Sequence, residues 1–282
     1  MATYHDCISK VIKKMRPDEK GMLKLIMEYG KKINDDEDLK TMFNSTKELK
    51  KYGKDVTPGL VLSQLDDIFT EGFGIIDDLK YISGNYGKQL DITINKVLVK
   101  SLKVSKPVFS EDADTVKGAI QRETWITEQL MDSFIKSMDD DIKEEFEKEI
   151  AKTMKRKWIA PSKATEVSAA LLHGGLTTAR AIMGFGFHKM VAIIANRIIK
   201  MLVGRGLSLA ANAALQRTVG ILFGPIGWII TAVLTLSAIP SLINPRGYDK
   251  YIPAIFLIGI KRLSQGGGNR CFILRNKKEN AW

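Results

Sequence analysis

The side chains best suited to chemistry are few in this chain, and they stand apart. Its three histidines, His5, His173 and His188, are far from one another, and neither Cys7 nor Cys271 has a companion at metal-ligand spacing. His173-Gly174-Gly175 is similar to an oxyanion-hole motif, but no Gly-Xaa-Ser-Xaa-Gly nucleophile elbow exists for it to serve. Gly204-Arg205-Gly206 lacks the remainder of a phosphate-loop fingerprint. The acidic run Asp139-Asp140-Asp141, with Glu144, Glu145 and Glu147, lacks the glycine and closing glutamate that a calcium loop needs at fixed offsets. It reads as a solvated helix face. The residues therefore predict no catalytic, cofactor-binding or metal-binding constellation, and the expectation is a protein that is not an enzyme.

Charge is the next chemical signal. The net charge of +11 is unevenly divided: from Val167 to Trp282 there are 14 Lys and Arg against Asp249 and Glu279 alone, so that part carries +12 and residues 1–166 carry −1. A cationic surface of this kind meets phosphates, of nucleic acid or of anionic lipid. Nucleic acid is the less favoured partner, because the basic residues are spread singly among long apolar runs instead of clustering with aromatics.

The elements that must carry these residues are helical throughout. An apolar share of 45% with 27% charged residues excludes global disorder and leaves ample material for a core. Cys7, Ile8, Val11 and Ile12 have helical spacing; a second helix starts at Pro17-Asp18-Glu19 and carries Met22, Leu23, Ile26 and Met27. Asn34 to Asp38 reads as an acidic turn, and Leu39 to Tyr52 as one short charged helix. Leu60 to Ile82 predicts two helices broken near Gly72-Phe73-Gly74. Leu90 to Leu102 is read as helix over strand. Asp114 to Trp158 is the clearest helical tract, with Trp125, Ile126, Leu130, Phe134 and Met138 on one stripe and Ile142, Phe146, Ile150 and Met154 on the next. Ala160-Pro161-Ser162 is read as a boundary between a helical domain at 1–160 and a cationic apolar helical module at 161–264. Residues 265–282 are read as a basic mobile tail.

The C-terminal module is different in kind. Thr218 to Pro245 is a run of 28 residues without a charge, long enough to invite a membrane span. Pro225 and Pro240 divide it: the 14 residues between them make about 21 Å of helix, short of the roughly 30 Å hydrocarbon core. The expectation is an apolar, glycine-rich helical hairpin bent at Gly224-Pro225-Ile226-Gly227, with arms near 207–223 and 228–243. A further apolar run, Tyr251 to Ile260, ends at Lys261-Arg262.

Ahead of the hairpin, Phe187 to Leu202 places Lys189, Asn196, Arg197 and Lys200 within one arc of roughly 100° and leaves the rest apolar. A narrow cationic face on a wide apolar helix suits an interfacial helix on anionic lipid, and it equally suits a core helix with one solvated edge. The candidate lipid-contact residues are Lys189, Arg197, Lys200, Phe223, Gly224, Pro225, Trp228 and Leu234.

Gly224-Pro225-Ile226-Gly227, then Tyr248, Tyr251-Ile252-Pro253-Ala254-Ile255 and Lys261-Arg262, together resemble the YaaW-like proteins of bacteria, an uncharacterised family grouped with the ubiquinol–cytochrome c chaperones. Trp125 ahead of Met138-Asp139 and Lys143 to Phe146 is similar too, so that the resemblance covers about residues 60 to 263. It implies an all-α chain and supplies no catalytic residue.

The sequence thus predicts an all-α multi-helix bundle carrying a C-terminal apolar hairpin. Two functions follow as expectations. One is a membrane-engaging protein that meets an anionic bilayer and perforates or remodels it through the hairpin. The other is a soluble chaperone-type binding module with the hairpin buried in its core. Self-association or a protein partner is compatible with both. Two cysteines near opposite ends make no disulfide framework, and Met1 to Arg16 has no long apolar run. The expected location is therefore cytoplasmic, peripheral to or inserted at a membrane.

Overall fold

A computed structural model of the chain describes residues 4–30, 32–73, 85–137, 140–157, 160–183, 187–202 and 245–265. Among the described residues every regular element is helical. The predicted hairpin, with Phe223, Gly224, Pro225, Trp228 and Leu234, the predicted tail beyond Gln265 and the second helix predicted after Gly72-Phe73-Gly74 lie outside the described residues.

The N-terminal third is built from short, well-capped helices. Helix α1 (Tyr4–Lys13) buries Cys7, Ile8, Val11 and Ile12, the stripe its spacing predicts. Helix α2 (Pro17–Tyr29) opens on Pro17, whose missing N–H costs nothing at a first turn. The backbone N–H of Arg16 donates to Glu19 Oε2 at 2.8 Å, which fixes the entry to that turn. A single helical turn, α3 (Lys32–Asp35), replaces part of the predicted acidic turn.

The tract predicted as one helix from Leu39 to Tyr52 is two. Helix α4 (Glu37–Asn44) starts under Asp36, which accepts from the N–H groups of Asp38 and Leu39 at 2.9 and 3.1 Å. Helix α5 (Thr46–Tyr52) starts under Ser45, whose hydroxyl accepts from Glu48 N–H. A side chain that satisfies an orphan donor competes with helix continuation, and here it wins. Splitting the tract lets α5 pack closely on α2. A Cβ at Gly21 would overlap the Leu49 carbonyl, so that contact needs glycine.

Helix α6 (Pro58–Phe73) is followed by α7 (Tyr86–Thr93), a π-helical turn (Ile94–Leu98) and the short α8 (Val99–Ser101). The helical reading of Leu90–Leu102 therefore holds, with the start four residues earlier. The connector after α8 is held by Arg122, whose Nη1 donates to the Glu111 carbonyl at 2.9 Å while its guanidinium lies over the Phe109 ring.

Helices α9 (Val116–Ser137) and α10 (Asp140–Lys157) carry the predicted stripes as far as they are described: Trp125 is partly buried, and Met138 and the Ile142 side chain lie outside the described residues. Of these, Ile126, Leu130, Phe134, Phe146, Ile150 and Met154 are all buried. Helix α11 (Pro161–Met183) opens on Pro161, and α12 (Phe187–Leu202) follows. The last described helix, α13 (Pro245–Ser264), contains the run predicted from Tyr251 to Ile260 and extends it at both ends.

Helix α13 is the axis of the described bundle. It packs against α1, α2, α6, α9 and α12, and every residue from Tyr251 to Ile260 is buried. A helix apolar on all sides belongs at the centre of a bundle. One contiguous core runs from Ile8 to Leu263 and draws on both sides of Pro161. Two close crossings set the position of α13. Gly247 meets Gly72 of α6, backbone on backbone, and Gly259 meets Thr127 of α9; a Cβ at either glycine would overlap its partner.

Candidate functional site

Polar groups in the interior concentrate around α13, and they are the best candidate for a site. Arg262 and Glu123 are 3% and 0% exposed, with Arg262 Nε 2.5 Å and Nη2 3.2 Å from the two carboxylate oxygens. Tyr4 donates its hydroxyl to the same carboxylate and stacks on Tyr86 with ring centroids 4.2 Å apart. Next along the helix, Lys261 Nζ donates to Glu19 Oε2 at 2.6 Å. About three turns earlier in α13, Tyr251 donates to Gln89 Oε1 at 3.3 Å, and Gln89 Nε2 donates to Asp66 Oδ1 at 2.5 Å. This polar ladder ties α13 to α1, α2, α6, α7 and α9.

The electrostatics follow from burial. Burial alone would lower the Arg262 guanidinium, but the charge and hydrogen bond of Glu123, together with Tyr4 and Tyr86, outweigh that and hold it further into its cationic form. Burial, with Glu123 nearby, pushes the Tyr4 and Tyr86 phenols well above their ordinary value. Burial does the same to Tyr251, reinforced by Asp66. These tyrosines stay neutral at any physiological pH, and Tyr4 and Tyr251 act as hydrogen-bond donors. A phenol so placed does not serve as a base. The arrangement holds helices in register. It is closed, and the opportunities it offers are for recognition of one helix by another.

The residues predicted to contact lipid are distributed as follows. Lys189 is exposed on α12. Arg197 is turned towards α10, with its side chain 14% exposed and its guanidinium nitrogens 4.0 Å from Glu145 and 3.8 Å from Glu149. Burial lowers its guanidinium, and those two carboxylates counter the shift. Lys200 lies in the last turn of α12, and its side chain is outside the described residues, as are all five hairpin residues. The apolar face of α12 (Met190, Val191, Ile194, Ile198) is buried in the core. Asn196 reaches across to the Ser264 carbonyl at the end of α13, 3.2 Å away. Among the described residues no helix is long and apolar enough to cross a membrane.

The His173-Gly174-Gly175 motif marks a break inside α11. Gly175 has φ +74°, a conformation that L side chains rarely adopt, and the next N–H, that of Leu176, donates to Asp132 Oδ1 at 2.8 Å. Asp132 therefore caps the second half of α11 from the neighbouring helix α9, and Lys136 Nζ holds that carboxylate at 2.6 Å. Nearby, Arg180 bonds Glu128 at 2.6 Å and lies over the Phe187 ring, joining α9, α11 and α12. Burial raises the Glu128 carboxyl, an effect that Arg180 opposes. Among the described residues no group of three or more His, Cys, Asp or Glu is placed to hold a metal ion.

The apolar run ending at Lys261-Arg262 and the first helix around Cys7 were legible in the sequence, but nothing there linked Lys261 or Tyr4 to a partner. Their partners lie 242 and 119 residues away, and no local pattern encodes such a pairing. The available signal was chemical: Arg262 follows a wholly apolar helix, where a charge demands a buried partner.

No protein-family model matches the chain, and no solved structure matches it. Among curated proteins, a UPF0174 protein of Helicobacter pylori is 41% identical over 86 residues. The matched stretch is 30% of this chain and spans about a third (32%) of that relative's length.

Proposed function

We propose that this chain is a non-enzymatic, membrane-engaging helical protein in which the described bundle is a platform and the uncharged stretch from Thr218 to Pro245 is addressed to lipid. One observation carries the reading: the centre of the bundle is already filled by α13, packed by α1, α2, α6, α9 and α12. The longest uncharged stretch of the sequence is therefore not what core formation calls for, and burial in a bilayer gives it a role. In this reading Phe223, Gly224, Pro225, Trp228 and Leu234 meet the acyl region, and Lys189 and Lys200 meet anionic headgroups. Arg197 serves the bundle. The location is the cytoplasmic face of a membrane that the protein perforates or remodels. The YaaW-like resemblance belongs to the same proposal, its residues Tyr248, Tyr251, Pro253, Lys261 and Arg262 all lying on α13.

The test is flotation of the full chain with anionic vesicles, paired with dye release. Wild type rises with the vesicles and releases dye, and Trp228→Lys with Leu234→Lys loses release. A protein that stays at the bottom of the gradient overturns the reading.

A second reading is favoured by a different observation. The apolar face of α12 lies in the core and its Arg197 meets Glu145 and Glu149, as in a soluble binding module of chaperone type. This reading expects a monodisperse protein without detergent and a Trp228 shielded from aqueous quenchers. Partition into detergent during purification argues against it.

A further inference from the structure

Three of the described helices end at one place. Helix α1 finishes at Lys13, and only Lys14, Met15 and Arg16 separate it from Pro17, where α2 begins. Helix α5 runs antiparallel to α2: Leu49 lies against Gly21 and Gly53 against Pro17, so α5 finishes there too. Lys261, in the last turn of α13, donates to Glu19 in the first turn of α2 at 2.6 Å. The C-termini of α1, α5 and α13 therefore converge on the start of α2, at one end of the described bundle.

Lysine gathers at this end. Residues 10–14 carry Lys10, Lys13 and Lys14 and no acid, and residues 47–55 carry Lys47, Lys50, Lys51 and Lys54 against Glu48 and Asp55. All of these lysines are exposed. On α5, Lys47, Lys50 and Lys51 share an arc of about 100°, turned away from the buried Leu49. Chain connectivity through Pro17 and Gly53 keeps Lys14 and Lys54 within about 20 Å of each other. The acids of the α2 first turn do not neutralise them: Asp18 and Glu19 are 1% and 3% exposed and are engaged by Arg16, and Glu19 by Lys261 as well. Among the described residues none of the lysines in these two tracts forms an ion pair. Helix dipoles favour Lys10 and Lys13 in the last turn of α1, and Lys50 and Lys51 in that of α5. They do not account for Lys14 and Lys54 beyond the helix ends, nor for Lys47 in the first turn of α5, where positive charge is disfavoured.

We infer that this end of the bundle docks on the anionic headgroups of a bilayer, with Lys13, Lys14, Lys51 and Lys54 nearest the phosphates. A cluster of exposed lysines without counter-charges is the pattern drawn to anionic lipid. Nucleic acid is better matched by arginine forks and stacked aromatics. Here Arg16 is held by Asp18 and Glu19, Arg262 by Glu123, and Tyr52 donates to Glu28 beneath Lys24. An ammonium group acts as a point charge, which suits a fluid surface whose phosphates have no fixed spacing. The contact is open to solvent, so salt screens it. The inference rests on the membrane reading for its partner, and not on the stretch from Thr218 to Pro245.

The experiment is flotation of the full chain with phosphatidylcholine vesicles containing increasing phosphatidylglycerol, at low and high salt. Wild type attaches as the anionic fraction rises and detaches as salt rises. The variant Lys13→Gln, Lys14→Gln, Lys51→Gln, Lys54→Gln keeps its helical circular dichroism and attaches about a hundredfold more weakly. A control with the same loss of charge elsewhere, Lys148→Gln, Lys152→Gln, Lys155→Gln, Lys163→Gln, attaches like wild type; three of its lysines share the open groove face of α10 with Glu144 and Glu147. Equal weakening of the two variants overturns the inference, as does a wild type that binds no anionic vesicle at low salt. A wild type that leaves vesicles alone but retards a mixed-sequence DNA duplex through these same lysines also overturns it. Dye release, scored beside flotation, separates this inference from perforation. Lysine-dependent attachment without release overturns perforation and keeps the docking face. Release and attachment that are both untouched by the Lys13, Lys14, Lys51 and Lys54 substitutions overturn the docking face alone.

Discussion

Arg262 and Glu123 meet in the interior of the bundle, guanidinium against carboxylate at 2.5 and 3.2 Å, with their side chains 4% and 0% exposed. One closes the last described helix and the other lies on α9, so the pair fixes where α13 sits along its neighbour. Two buried charges lose their hydration and recover it only through each other and through the Tyr4 hydroxyl.

Breaking that pair from one side is predicted to be far more damaging than replacing both members. Glu123→Gln leaves a guanidinium buried without a counter-charge and is expected to lose about 3–5 kcal/mol of stability. Glu123→Leu combined with Arg262→Met removes both charges, leaves only the Tyr4 hydroxyl unpaired, and is expected to lose clearly less than the single variant. Denaturant unfolding of the three proteins at neutral pH checks this. Equal losses in single and double variants would refute it.

The two close crossings of α13 differ in what can yield. At Gly259 the neighbour is a side-chain hydroxyl, Thr127 Oγ1; at Gly247 it is the Gly72 backbone. Gly259→Ala is expected to cost about 1–3 kcal/mol and to be largely rescued by Thr127→Ala, whereas Gly247→Ala admits no side-chain rescue. Melting temperatures of the two alanine variants, with and without the second substitution, report the difference.

Glu128 sets a pH dependence whose sign is opposite to that of an ordinary paired carboxylate. Burial raises its carboxyl in the folded chain above the ordinary value of 4.5, despite Arg180. A raised folded value means that the contribution of Glu128 to stability is present below the unfolded value and lost as pH rises through the folded one. At pH 7 the ionised carboxylate is a net cost. Glu128→Gln, which keeps an acceptor for Arg180, is expected to melt higher than wild type at pH 7, and the gap should close as pH falls below 4.5. A gap that widens on acidification would contradict this.

Asp132 caps the second half of α11 from outside, accepting from the Leu176 N–H. Asp132→Ala is expected to cost about 0.5–2 kcal/mol, the range for a lost helix cap. Gly175→Ala should be worse, because the left-handed conformation and the overlap with Asp132 Oδ1 are both penalised. Hydrogen exchange at Leu176 would report the loss of the cap directly.

Much of the local structure was legible because it is encoded locally. The stripes Cys7–Ile12 and Met22–Met27 came directly from 3.6-residue periodicity and are buried as that period requires, as are Ile126, Leu130 and Phe134 of α9 and Phe146, Ile150 and Met154 of α10. The division at Ser45 was missed because apolar periodicity weighs side-chain spacing and overlooks a hydroxyl that caps the next helix. The Gly174-Gly175 pair drew notice only as part of an oxyanion-like motif, because its place as a break in α11 depends on Asp132 from another helix.

The site itself was hardly legible. Composition and periodicity placed Arg197 on the cationic face of an amphipathic helix, and they did so correctly. They left open whether that face meets lipid, solvent or protein, because amphipathicity records only that two sides differ. The packing of α10 beside α12 answers for Arg197, through Glu145 and Glu149.

By itself, then, the sequence determined the helical class, the apolar faces, the charge division between residues 1–166 and 167–282, and the scarcity of histidine and cysteine. These depend on residue types and on separations of a few positions. Tertiary structure alone decided that Tyr251–Ile260 forms the axis of the bundle, that Lys261 and Arg262 are held by Glu19 and Glu123, and that one face of α10 is spent on Arg197 while the other opens as a groove. Such pairings join residues up to 242 positions apart. Their energies arise from desolvation and close approach, which exist only once the helices have come together.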